Sequence, residues 1–114
     1  MINRTPLFEG LRQLANEDQQ RALWIYGDEK RMSSFTEAMC YVFDASGLSK
    51  ALDSGYAKTH LSPPLYEKIR QLRKLIHEVP ENTPPIEIVE HPKFKMIRQI
   101  AGELIELFSA EIGP

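Results

Sequence analysis

The last stretch, Pro92 to Ile112, constrains the fold more than any other part of the chain. Phe94, Ile97, Ala101, Leu104, Phe108 and Ile112 recur at the three-and-four spacing of one helix face. Met96, Ile100 and Leu107 carry that face well round the cylinder. A stripe this wide needs more than one neighbour, so the segment reads as a central, mostly buried helix. Pro92 suits a first helical turn, where its missing N–H costs nothing, and Gly113-Pro114 stops the helix.

The charges on this helix are reversed relative to its dipole. Lys93, Lys95 and Arg98 lie in the first two turns, and Glu103, Glu106 and Glu111 in the second half. The dipole favours the opposite order, by about 0.3–1 kcal/mol per charge. Cations gathered at a helix start, beside unpaired N–H groups, suit an anion or an acidic partner. The plainer account is neutralisation at the surface by Glu87 and Glu90 just upstream.

Upstream segments supply the neighbours this helix needs. Thr5-Pro6 pairs a capping hydroxyl with a first-turn proline and opens a helix to about Asn16, with Gly10 inside it. Asn16 and Gln19 mark a second start, followed by the apolar run Ala22–Tyr26, which reads as helix or as a buried strand. Ser34 and Glu37 form a capping box for a third helix, Phe35 to about Asp44. Leu48 to Asp53 is long enough for one short turn. Ser62-Pro63 opens a fourth helix, whose seam of Leu65, Ile69, Leu72, Ile76 and Val79 suits lengthwise packing on another helix. Between Glu81 and Glu90, Asn82-Thr83-Pro84-Pro85 marks a turn. Ile86 and Ile88 alternate with Glu87, so an extended piece or edge strand is expected there.

The expected fold is therefore all-α: one domain, 1–114, built as a four- to five-helix bundle around the C-terminal helix. The alternative is α+β, with a short two-stranded ribbon pairing Leu23–Tyr26 with the Ile86–Ile88 segment.

Chemistry-bearing motifs are scarce. His60, His77 and His91 are isolated, so no metal site is predicted. Cys40, the one cysteine, excludes an internal disulfide and sits mid-helix beside Glu37, where a semi-buried, unreactive thiol is expected. No Gly-x-Ser-x-Gly elbow or glycine-rich phosphate loop occurs, and no catalytic residue or cofactor is implied. An enzyme would need a cleft holding a histidine beside an acid. The N-terminus lacks a signal-peptide run and no segment could span a bilayer, so a cytoplasmic protein is expected.

A net charge of −2 argues against a dedicated nucleic-acid binder, although not against a local basic patch. Lys68, Arg70, Arg73 and Lys74 supply one on the fourth helix, with Tyr66 available for stacking. Ala51, Gly55 and Leu61 faintly echo helix-turn-helix spacing. Ser54 and Pro63-Pro64 break that pattern, since the recognition helix would have to continue there.

The function expected is a non-catalytic interaction or regulatory protein that binds and modulates or neutralises a protein partner, as immunity or adaptor proteins do. Trp24, Tyr26, Lys93, Lys95 and Arg98 are its candidate contacts, although core filling is the plainer account of the two aromatics, since this chain has one Trp and needs volume. Blocks of opposite charge also suit self-association into a homodimer. The alternative is a nucleic-acid or phosphate-ligand binder using Lys68, Arg70, Arg73 and Lys74. No motif is specific enough to name a family.

Overall fold

Four helix starts among the described residues carry a side-chain cap, and these caps set the element boundaries. The computed structural model describes residues 2–25, 34–80 and 83–113. Asn3 accepts from the Thr5 N–H and opens α1 (Arg4–Ala15), slightly before the Thr5 cap that the sequence suggests. Asn16 accepts from the Gln19 N–H and opens α2 (Glu17–Gln20). Ser34 accepts from the Glu37 N–H and opens α3 (Phe35–Met39). His91 Nδ1 accepts from the Lys93 N–H and opens α8 (Pro92–Ile112), so one histidine serves as a cap. In each case a polar acceptor satisfies a backbone donor that the first helical turn leaves over. The remaining helices are α4 (Leu48–Asp53), α5 (Tyr56–His60), α6 (Pro63–His77) and α7 (Pro85–Val89).

Two α-helices widen into π-helical stretches: α2 into Arg21–Ile25 and α3 into Cys40–Ala45. In the second, the adjacent residues Val42 and Phe43 are both buried. The run at Ala22–Ile25 is thus helical, and Tyr26 lies outside the described residues. No strand occurs among the described residues, so the ribbon alternative has no support.

The bundle is all-α, as expected, but cut into more and shorter pieces. α8 is central: α1 packs on one side of it and α6 on another. Phe94, Ile97, Ile100, Ala101, Leu104 and Phe108 are buried, as the spacing implied. Met96 is a correction, since it stands 56% exposed rather than extending the face. Across α1, Gly10 allows a close crossing. A Cβ there would meet Val42 Cγ2 at 2.6 Å and the Ala38 carbonyl oxygen at 2.8 Å.

The Ile86–Ile88 piece is a second correction, being the helix α7 rather than an extended segment. Pro85 occupies the first turn, where its fixed φ is already helical. The neighbours Ile88 and Val89 face inward together while Ile86 points out, a pattern that a strand cannot produce. Short α5 was not foreseen. It follows Gly55, whose φ of +85° makes the turn after α4, and ends at an extended Leu61. No long helix continues from that turn before Pro63, so the helix-turn-helix echo does not become that motif.

Candidate functional site

Trp24 and Arg98, two of the candidate contacts, belong to a clasp inside the fold. Gln20 is fully buried. Its amide donates to the carbonyls of Gln13 (2.9 Å) and Leu14 (2.8 Å) at the end of α1. Its oxygen accepts from Arg98 Nε at 3.0 Å. Arg98 also donates to the Val89 carbonyl, lies 5.5 Å over the Phe94 ring and stands 3.7 Å from Glu17. Trp24 is 6% exposed, donates to Gln13 Oε1 at 3.2 Å, and packs with Phe35 and Phe94. Trp24 is thus a core group, and Arg98 a half-buried link between α8, α2 and α7. Lys93 is ion-paired with Glu78, the residue after α6, and Lys95 is exposed. Glu90 lies by Arg21, so acids other than the expected pair meet the basic start of α8.

The basic residues of α6 do not form one free face. Lys68 pairs with Glu103 on α8 at 2.5 Å, Arg73 with Asp53 on α4 at 3.3 Å, and Arg70 with Glu67 at 3.4 Å. Arg70 also lies 5.7 Å over the Tyr66 ring. Lys74 is exposed. Two of the four cations therefore spend their charge on neighbouring helices.

What the fold does build is a groove of about 310 Å³ between the α3 segment and α6. Met39, Phe43 and Ile76 give it an apolar floor. Thr36, Cys40 and Asp44 line one side, Arg73 and His77 the other, and Ser49 of α4 closes an end. The volume is at the small end of the range for specific sites, about 300–1,000 Å³, and the mixture of apolar floor and a few polar groups is typical of them. Phe43 and Ile76 are themselves buried, so the floor is made from the edges of core side chains. Cys40, Phe43 and Asp44 all come from the π-helical stretch, and π-bulges recur at functional sites.

Cys40 is exposed rather than semi-buried. Its place on the widened turn, off the apolar face, puts it on the groove side. His77 and Asp44 share the groove with it. Among the described residues, no group of three or more His, Cys, Asp or Glu side chains is placed to hold a metal ion. His60 is stacked on Tyr56, with ring centroids 3.9 Å apart. No helix among the described residues is long and apolar enough to cross a membrane.

The groove was hidden from sequence reasoning because its floor residues look like ordinary core. The usable signal was modest: Cys40 and Asp44, and Arg73 and His77, are two pairs spaced by four, each just off an apolar face. Comparison of the chain with protein-family models, curated proteins and solved structures gives no match.

Proposed function

We propose that this chain is a small, non-catalytic interaction protein of the cytoplasm, which docks a protein partner through the groove between the α3 segment and α6 and so modulates it. The observation that carries this reading is the solvent-open apolar floor of Met39, Phe43 and Ile76 set between polar walls. Such a concavity suits one apolar anchor side chain, the feature around which protein interfaces concentrate their energy. The earlier contact set changes accordingly. Trp24 and Arg98 hold the fold and Lys93 is paired with Glu78, while Lys95 remains as an outlying charge that suits long-range steering.

Phosphate or nucleic-acid binding is the runner-up. Its support is thinner, because Lys68, Arg70 and Arg73 each lie beside an acid. A catalytic reading would start from His77 and Asp44 in the same groove. It would also need a group that orients the imidazole, and among the described residues no hydrogen bond does so.

The test is a pull-down from the lysate of the cells that make the protein, washed at rising salt. It is run beside Thr36→Arg and Ser49→Arg, two substitutions that fill the groove from its walls. A stoichiometric protein that survives high salt and is lost from both variants is the expected result. Nucleic acid leaving at moderate salt would instead favour the phosphate reading. A second copy of the chain in the eluate, with dimers in sedimentation, would make the groove a self-contact.

A further inference from the structure

The two walls of the groove differ in charge, and this difference describes the occupant. On the α6 side, Arg70, Arg73, Lys74 and His77 fall at i, i+3, i+4 and i+7, one outward row along the helix. Arg73 and His77 of this row line the groove directly. The opposite wall offers the carboxylate of Asp44 and the hydroxyl of Thr36. Arg73 is held by Asp53 only loosely: both guanidinium nitrogens reach the same oxygen, at 3.3 and 3.4 Å, and the Asp53 side chain is 68% exposed. A surface pair of this kind contributes little and exchanges readily for a better-placed carboxylate.

From this asymmetry we infer that the groove takes a segment of a partner protein presenting an apolar anchor, with a carboxylate on the side that meets α6. This rests on the docking reading above and adds the chemistry of the partner. The anchor sits on Met39, Phe43 and Ile76. The carboxylate takes a forked contact from Arg73, reinforced by the charge of the exposed Lys74. The polar opposite wall at Asp44 repels a second acid, so the segment binds in one direction.

The experiment is selection of a displayed library of short, cysteine-free peptides on the intact protein. The selected peptides are then measured by calorimetry against Thr36→Arg, Ser49→Arg and Arg73→Glu, each first matched to the parent by circular dichroism and melting. The expected peptides pair an apolar residue with an acid and fail on both groove-filling variants. They bind Arg73→Glu about tenfold more weakly, the scale of one charge-assisted contact. Replacing the peptide's acid by lysine restores binding to Arg73→Glu, a charge swap that a merely structural role for Arg73 would not produce. Groove-dependent peptides with no acid preference, or indifferent to Arg73→Glu, would overturn this inference and leave the docking reading standing. If no selected peptide is blocked by the groove-filling variants, both fall.

Discussion

A methyl group at position 10 has nowhere to go. Two of the atoms it would meet, Val42 Cγ2 at 2.6 Å and the Ala38 carbonyl oxygen at 2.8 Å, belong to the helix crossing α1, and a backbone oxygen cannot rotate aside. Helix propensity alone favours alanine over glycine by about 1 kcal/mol. Overpacking a close crossing costs about 1–3 kcal/mol, so the clash wins. Gly102, in the middle of α8, has nothing within 4 Å of a built Cβ, and there propensity is unopposed. Gly10→Ala should therefore lower the urea midpoint, and Gly102→Ala should raise stability by about 0.5–1 kcal/mol. Both should leave the denaturant slope unchanged. Equal signs for the two substitutions would mean that the α1 crossing is looser than its contacts imply. The same scale explains why Arg98 resisted a sequence reading, whereas core filling, the plainer account of Trp24, holds. A cation near a helix start has the same local pattern whether it meets water or Gln20. Only the hydrogen bond to Gln20 decides the matter.

At the scale of elements, the reversed charges of α8 acquire a cause. α6 runs antiparallel to it, as three cross-links along their length require: Lys93 with Glu78, Lys68 with Glu103, and the Ser62 N–H with Glu111. The start of α8 therefore lies beside the carbonyl end of α6, and its last turn beside the amide end. Lys93 and Glu111 are placed wrongly for the dipole of their own helix and rightly for that of its neighbour. Glu103 shares in this stitching. The hydrogen bond from Lys68 holds its carboxyl below the ordinary value of 4.5. Glu17 is lowered likewise, first by its hydrogen bond with Arg21 and then by the charge of Arg98. A carboxylate depressed in the folded state contributes its stability in full above its unfolded value, and loses it as pH falls through the lower folded one. Stability should therefore decline below about pH 4.5, and Glu103→Gln should flatten part of that decline while changing little at pH 7 beyond the loss of one surface pair. Melting temperatures across pH 2.5–7 for parent and variant would measure it; parallel curves would contradict the assignment to Glu103.

For the molecule as a whole, the sequence carried the bundle and its centre but not the groove. The α8 boundaries, the α6 seam and the Ser34 cap were legible because each is a local pattern with one physical meaning. α7 was misread because alternation over Ile86–Ile88 is too short to separate a strand from a single helical turn, and Pro85 decided it. The groove was illegible for a different reason. It arises where α3, α4 and α6 fail to fill the space between them, and a gap leaves no periodicity. Cys40 makes that gap measurable. It is the sequence's one cysteine and is exposed on the groove wall, so a thiol reagent should label the native protein at one site without denaturant. An occupant seated on Met39 and Phe43 must cover that thiol, because Cys40 shares the groove with both. Alkylation should slow in proportion to occupancy, and a bulky maleimide adduct at Cys40 should abolish binding while leaving the helical circular dichroism intact. Binding that survives the bulky adduct would place the partner elsewhere, with the exposed Lys95 and Met96 end of α8 as the next surface to probe.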